Sequence, residues 1–127
     1  MSKTLHLNLK KKWFDMILSG EKTEEYREIK SHWINHFVDF YCGRKPNDGN
    51  NLQWLLCDIK DDPDRVFSKM LLKGIDTITF SNGYAKDRPQ FEIELKGIEI
   101  KEGNPKWGAE PGKKYFVLSL GEILLPF

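Results

Sequence analysis

The segment "PQFEIELKGIEIKEG", residues 89–103, constrains the fold more than any other part of the chain. Its apolar residues alternate with charged or polar ones, which is the pattern of a strand with one buried face. The alternation shifts by one position at Gly97, from Phe91, Ile93 and Leu95 to Ile98 and Ile100. We therefore predict a long strand with a β-bulge at Gly97.

Further segments have strand character because they alternate or are rich in β-branched and aromatic residues. They are "TLHLNL" at 4–9, "VDFYC" at 38–42, "IDTITFSN" at 75–82 and "KYFVLSLGEIL" at 114–124. The apolar run "LQWLLCDI" at 52–59 has the length of a strand, with a helix as the alternative. The sequence thus predicts six or seven short strands.

Helical patterns occur early and in the middle of the chain. Apolar spacing predicts a helix from Lys11 to Ser19 that stops before Gly20, and a short one at 31–38 capped by Ser31. Asp62 and Pro63 predict the start of a third helix, which Gly74 ends. Strands and helices do not alternate regularly, so we predict an α+β fold, with the sheet curled into a barrel.

Composition limits the size and the partners of the protein. Its 127 residues predict a single domain spanning 1–127, and 20 basic against 19 acidic residues give a net charge of +1. Such a balance disfavours binding to long duplex nucleic acid or to an anionic membrane. Neither a signal peptide nor a run of about 20 apolar residues is present, so we expect a cytoplasmic protein without a membrane partner.

The residues typical of metal sites do not form a recognisable motif. Cys42 and Cys57 lie far apart outside any C-x-x-C pattern, and their apolar neighbours predict buried, reduced thiols. His32 and His36 have helical i, i+4 spacing but no third ligand nearby in sequence. We expect no metal and no cofactor.

The segment "LSGEKTEEYREI" contains the candidate site, in the pattern Gly20-x-Lys22-x-x-Glu25-x-Arg27. In a strand, Glu25 and Arg27 project from the same face, and Lys22 at the preceding turn can join them. A cation, a carboxylate and a guanidinium would then converge. The spacing by itself favours the alternative, a solvated charged face with weak ion pairs.

This pattern resembles the G-x-K-x-x-E-x-R signature of the ASCH domain, a family of the PUA-like superfamily. The resemblance extends to the strand and helix before the motif and to the closing "LSLGEIL". It implies a small β-barrel with flanking short helices and a cleft for a nucleotide or single-stranded RNA. The residues carried over to that cleft are Gly20, Lys22, Glu25 and Arg27.

Some members of this family are similar enough to suggest chemistry, since they hydrolyse N4-acetylcytidine or cut RNA. The deacylating members carry K-T-x-T-x-R; this chain keeps Lys22 and Thr23 but has Glu25 at the second threonine position. In an enzyme, Lys22 would take a proton from water and Glu25 would pass it to the leaving amine. In a binder, Lys22 and Arg27 would meet phosphate while Glu25 accepts from a base.

Two loops combine aromatic and basic residues, the mixture that single-stranded nucleic acid prefers. One begins at Asn82 and presents Tyr84 among basic residues, and the other presents Trp107 among lysines. In the alternative, both rings fold back onto the core. Lys10, Lys11 and Lys12 at the start of the first helix suggest either a phosphate contact or, more simply, three solvated lysines.

These features leave three functional hypotheses. The first is a binding domain for RNA or a modified nucleoside, with contacts from Gly20, Lys22, Thr23, Glu25, Arg27, Asn82, Tyr84 and Trp107. The second is an amidohydrolase or ribonuclease in which Lys22 and Glu25 are catalytic. The third is a protein-interaction module whose charged motif only braces the barrel.

Overall fold

The computed structural model describes the backbone of residues 3–126 and the side chains of residues 3–124. Within that range seven strands are β1 (Thr4–Leu9), β2 (Glu24–Arg27), β3 (Val38–Tyr41), β4 (Met70–Leu72), β5 (Thr77–Asn82), β6 (Gln90–Glu102) and β7 (Lys114–Pro126). The helices are α1 (Lys11–Leu18), α2 (Ser31–Phe37), α3 (Asn51–Asp61) and α4 (Pro63–Ser68), with a 3₁₀ turn at Pro105–Trp107.

The strands form two sheets. Five of them lie in the order β1-β5-β6-β7-β2, with β1 parallel to β5 and all other pairs antiparallel, while β3 and β4 form a separate antiparallel pair. The larger sheet is curled into a half-barrel. The predicted α+β class is confirmed. The barrel is open, because β1 and β2 are edge strands within the described part of the chain.

The bulge at Gly97 is confirmed. Leu95 pairs with Leu120 and Gly97 pairs with Ser119, so β6 advances two residues while β7 advances one. This extra residue moves the buried face from odd to even positions. As a result the apolar residues on both sides of the bulge enter one core: Phe91, Ile93, Leu95, Ile98 and Ile100.

The segment "LQWLLCDI" is part of helix α3, so the strand prediction was wrong and its alternative holds. Asn51, Leu55 and Ile59 are the buried residues of α3 and follow each other at intervals of four. That spacing places them on one helical face, which the main core covers. An even spacing would also place these three residues on one face of a strand, so the run alone does not distinguish the two conformations.

The third predicted helix is shorter than expected. Asp62 caps α4 by accepting a hydrogen bond from Arg65 N–H at 3.2 Å, as predicted, but the helix ends at Ser68. The chain then forms β4, in which Met70 pairs with Tyr41 and Leu72 with Val38. Met70 and Leu72 pack against the core from one side of this short strand, and exposed Leu71 points away.

The two cysteines are exposed, which corrects the prediction of buried thiols. Cys42 follows β3 in a left-handed turn with φ of 51°, and Cys57 lies on the solvent side of α3, two residues from buried Leu55 and Ile59. Their apolar neighbours in sequence therefore face the core while the thiols do not. None of the helices in the described residues combines the length and apolar character needed to cross a membrane.

Candidate functional site

The turn after α1 places Lys22 beneath the sheet. Gly20 has φ of +85°, a conformation that glycine adopts without strain, and Lys22 N–H donates to the Met16 carbonyl at 3.0 Å. The chain then enters β2, where Glu25 and Arg27 pair with Leu118 and Phe116. Because those partners belong to the main core, both charged side chains start from the core-facing side of the sheet.

Lys22, Glu25 and Arg27 form what we call the motif triad. Lys22 Nζ lies 2.5 Å from Glu25 Oε1, and Arg27 Nη1 lies 2.9 Å from Glu25 Oε2. The Lys22 side chain is 0% exposed, that of Glu25 6% and that of Arg27 18%. The three groups therefore converge, and they do not form a solvated face. Two cations share one carboxylate, which leaves one excess positive charge.

Aromatic rings enclose the two cations. Lys22 Nζ lies 5.5 Å from the centroid of Trp13 and 5.3 Å from that of Tyr26, and the Arg27 guanidinium lies 5.1 Å from that of Trp33. These distances allow cation–π attraction, which is strongest for desolvated cations. Burial lowers the pKa of Lys22 below its usual range, although the attraction of Glu25 opposes that shift.

A loop between β6 and β7, residues 103–113 and here called the strap, closes over this region. Asn104 N–H donates to the Tyr26 hydroxyl at 2.8 Å, and Tyr26 O–H donates to Glu24 Oε1 at 2.7 Å. Burial raises the pKa of the Tyr26 phenol. A Cβ atom at Gly103 would lie 2.8 Å from the Tyr26 ring, so the strap approaches Tyr26 as closely as only glycine permits.

An open depression lies where the parallel strands β1 and β5 end, and we call it the β1–β5 groove. It has a volume of about 320 Å³ and is lined by Asn8, Leu9, Lys10, Asn82, Gly83 and Tyr84. Asn82 Nδ2 donates to the Leu9 carbonyl at 3.1 Å, and Gly83 N–H donates to Asn8 Oδ1 at 3.1 Å. These bonds fix the two strand ends relative to each other.

Arg27 joins the motif triad to this groove. Its Nη2 donates to the backbone carbonyl of Asn8 at 3.3 Å, and therefore also links the two edge strands of the half-barrel. Its Nε is buried and has no hydrogen-bond partner among the described residues. A buried donor without a partner costs free energy, so the guanidinium is held in place by its other contacts.

The other predicted site residues are spread over three places. Tyr84, 91% exposed, and Asn82 both line the groove. Gly20, Lys22 and Thr23 line a different depression of about 340 Å³, near the end of β7. Trp107, on the strap, is partly buried against a small cluster of Tyr26, Ala109, Tyr115 and Val117. Its ring therefore folds back onto the protein, which was the alternative prediction, and does not line the groove.

Sequence reasoning missed several residues around the site. Asn8 lines the groove beside Lys10, which the sequence had already suggested as a phosphate contact. Arg88, one of the basic residues near Tyr84 in sequence, lines an adjoining depression of about 230 Å³ that also includes Tyr84. Trp13 and Trp33 cover the triad. The parallel pairing of β1 with β5 places Asn8 beside Ser81 and Leu9 beside Asn82, and only knowledge of that pairing would have identified Asn8.

The remaining candidates make local contacts. Lys11 pairs with Asp15, and the Lys12 ammonium lies 4.6 Å from the Trp13 ring centroid, so of the three lysines only Lys10 lines the groove. His36 Nδ1 is 2.8 Å from the His32 carbonyl oxygen. Within residues 3–124, no three His, Cys, Asp or Glu side chains are placed to hold a metal ion together.

The arrangement has two chemical capacities. The groove and its adjoining depression offer an exposed ring, cations and amide groups to a ligand. The triad offers a buried lysine and a partly buried arginine around one carboxylate. Comparison with known proteins adds no further guide: no family model, no curated protein and no solved structure matches this chain.

Proposed function

We propose that this chain is an ASCH-like domain of the PUA-like class that binds single-stranded RNA or a modified nucleoside in the β1–β5 groove. The observation that carries the proposal is the position of Tyr84, 91% exposed, in a groove that the Arg27 guanidinium contacts through Asn8. The sequence motif is thus connected, through the Asn8 backbone, to the groove in which Tyr84 is exposed. A cytoplasmic location would suit such a ligand.

The groove has the groups that single-stranded nucleic acid requires. Tyr84 offers a ring on which a base can stack, and stacking contributes about 1–3 kcal/mol per base. Lys10 lines the groove and Arg88 lines the adjoining depression, so both can meet backbone phosphates. Backbone groups at the strand ends can bond base edges, as in other readers of unpaired bases.

In this proposal the motif triad acts mainly by positioning Arg27. Glu25 fixes Nη1 and the Asn8 carbonyl fixes Nη2, while Trp33 lies beside the guanidinium. Lys22 holds the other oxygen of Glu25. The guanidinium is therefore preorganised beside the groove, which reduces the ordering cost when a ligand binds.

Fluorescence anisotropy with a labelled, short pyrimidine RNA tests the proposal. Tyr84→Ala should leave the fold intact, because the side chain is almost fully exposed, and should weaken the Kd by about 5- to 150-fold through the loss of one stacking contact. Trp54→Ala is the matched control, since Trp54 is also an exposed ring but lies outside the groove. Its Kd should equal that of the wild type.

Equal affinity of the wild type and Tyr84→Ala would show that the groove does not bind RNA. If the protein bound neither RNA nor N4-modified cytidines, the proposal as a whole would be rejected. The motif triad would then only brace the half-barrel, as the third hypothesis states.

One observation favours hydrolysis of N4-acetylcytidine as a second candidate. The lowered pKa of Lys22, buried 2.5 Å from Glu25, suits a base that accepts a proton from water. The hydroxide would add to the acetyl carbonyl, the C–N bond would break and the proton would leave with the N4 amine. This reaction releases acetate and cytidine.

Acetate release therefore separates the enzyme from the binder. In an enzyme, Lys22→Met should lower the rate by about 10²–10⁴-fold and leave binding of the nucleoside within a few-fold of the wild type. A wild-type protein that binds N4-acetylcytidine but releases no acetate over hours would exclude this second candidate.

A further inference from the structure

A further pocket lies between the end of β3, the turn that follows it and α3, and we call it the α3 cavity. It has a volume of about 370 Å³, and its walls include Tyr41, Cys42, Arg44, Trp54, Cys57 and Asp58. None of the groups assigned to RNA binding lines it. An adjoining cavity of about 220 Å³ shares Tyr41, Cys42 and Asp58 with it.

The wall of the α3 cavity includes an exposed tryptophan, Trp54. The neighbouring Leu55 is fully buried in the core, whereas the Trp54 side chain is 53% exposed. Tryptophan is highly buried on average, so an exposed indole beside a cavity points to a stacking surface. Arg44 lies at the same cavity and offers a cation to acceptor atoms of a ligand.

Asp58 gives the cavity a fixed acceptor. Its Oδ2 accepts a hydrogen bond from the Tyr41 hydroxyl at 2.9 Å, and the Tyr41 side chain is itself buried. Oδ1 accepts no hydrogen bond from the described residues and is free for a ligand. A carboxylate held in this way selects a ligand edge with N–H donors and repels one with lone pairs.

The rim of the cavity is preformed. Asn51 Nδ2 donates to the carbonyls of Tyr41, Arg44 and Lys45 at 3.3, 3.3 and 3.0 Å, which ties the turn after β3 to the start of α3. Cys42 in this turn has a positive φ of 51° although it is not glycine. Such backbone strain persists where the surroundings fix it, and it clusters at ligand sites.

From these observations we propose that the α3 cavity binds the base of a guanine nucleotide. Guanine presents two adjacent N–H donors, at N1 and N2, to a carboxylate, and an acceptor oxygen, O6, to a cation. Asp58 and Arg44 supply these two partners, and Trp54 supplies the stacking face. Adenine, by contrast, would place a lone pair at N1 against the Asp58 carboxylate.

The adjoining cavity fits the remainder of such a ligand. Asp61 and Asp62 line it and can accept hydrogen bonds from ribose hydroxyls, and Arg65 and Lys69 can meet a phosphate. Both cavities meet at Asp58, so one nucleoside monophosphate can extend from the first into the second. The site does not depend on the RNA-binding function proposed above.

The exposed thiols of Cys42 and Cys57 provide a direct test, because both line the α3 cavity. Bound GMP should slow their alkylation by iodoacetamide, measured by mass spectrometry of the intact protein, whereas AMP at the same concentration should slow it much less. Isothermal titration with GMP gives the Kd. Trp54→Ala and Asp58→Asn should each weaken it about 10-fold or more.

Gln53→Ala is the matched control, since Gln53 is an exposed residue of α3 that lines neither cavity. Tyr84→Ala distinguishes the two proposals, because it should weaken RNA binding and leave GMP binding unchanged. Equal protection by GMP and AMP, no GMP binding at millimolar concentration, or GMP binding that Tyr84→Ala abolishes while Trp54→Ala does not, would each overturn the α3 site.

Discussion

Glu25 lies between a buried lysine and a partly buried arginine, so the loss of each member of the motif triad leaves a different set of charges unpaired. Removing Glu25 leaves Lys22 and Arg27 close together without their anion, whereas removing Lys22 leaves the pair of Glu25 and Arg27 intact. A buried charge without its partner is strongly destabilising, while replacing a buried ion by an apolar group of similar volume is often neutral. The triad should therefore respond unequally to substitution.

We expect Glu25→Gln to lower the free energy of unfolding by about 3–5 kcal/mol. Lys22→Met should lower it by about 1 kcal/mol or less, because the methionine side chain fills the space between Trp13 and Tyr26 without a charge. Urea unfolding followed by fluorescence measures both values. Equal losses for the two variants would contradict the shared carboxylate.

The lowered pKa of Lys22 predicts a dependence of stability on pH. The folded protein holds this pKa below 10.5, the value expected for the unfolded chain, because burial disfavours the charged form. Between the two pKa values the unfolded chain binds more protons at Lys22, so the free energy of unfolding rises with pH there. The stability of the wild type relative to Lys22→Met should increase as the pH approaches 10.5.

Urea unfolding of both proteins at several alkaline pH values isolates this effect, because the other lysines are common to the two. A difference that stays constant, or that decreases with pH, would show that the pKa of Lys22 is not lowered.

At the residue scale, strand periodicity placed Glu25 and Arg27 on one side of β2 and so allowed Lys22, Glu25 and Arg27 to converge, although the spacing by itself favoured a solvated charged face. It did not predict their burial, because Trp13 and Trp33 cover them from two helices. The sequence also did not determine whether the Trp107 ring would be buried or exposed, because its packing depends on Tyr115 and Val117 of the next strand.

The strap packs against Tyr26, one of the two rings beside Lys22. Tyr26 and Tyr115 hold it at both ends, through Asn104 N–H at 2.8 Å and Glu110 N–H at 3.0 Å. A Cβ at Gly103 would come within 2.6 Å of the Ala109 side chain, whereas a Cβ at Gly97 would meet nothing within 4 Å. A methyl group should therefore be tolerated at Gly97 but not at Gly103 without a shift of the strap.

We expect Gly103→Ala to destabilise the protein by about 1–3 kcal/mol, because the strap must move away from Tyr26. Gly97→Ala, its control in the same strand region, should change stability by less than about 1 kcal/mol. Thermal unfolding compares the two. A Gly103→Ala variant as stable as Gly97→Ala would mean that the strap does not pack tightly on Tyr26.

At the element scale, sequence patterns identified β1, α1, β5 and the bulged β6 because each shows its own periodicity. The strand prediction for residues 52–59 failed because a short apolar run does not distinguish a buried strand from a helix. Strand β4 was missed because three residues carry no periodic signal, and their conformation comes from pairing with β3. The exposure of Cys57 follows from the helix and could not be read from its apolar neighbours.

The whole molecule combines a half-barrel sheet with short helices and has a nearly balanced charge, which limits how it can bind RNA. With a net charge of +1, affinity must come from a local set of cations at the groove and not from a general field. The curled sheet was predicted from the number and order of strands. Its open edge between β1 and β2 was not, because closure depends on the pairing of distant strands.

This balance predicts a weak dependence of RNA binding on salt. About three phosphate contacts, from cations such as Lys10 and Arg88, give a slope of about −2 for the logarithm of the binding constant against that of the salt concentration. Anisotropy titrations over a range of potassium chloride concentrations measure it. A much steeper slope would indicate an extended basic surface outside the groove.

The central claim is that the β1–β5 groove is the binding surface, and amide chemical-shift mapping tests it most directly. A short RNA containing only pyrimidines avoids the guanine site proposed at α3. Its addition to ¹⁵N-labelled protein should shift amides at residues 8–13 and 82–88, together with the Arg27 side chain, while residues 41–69 stay unchanged. Shifts confined to residues 41–69, or no shifts at millimolar RNA, would contradict the account.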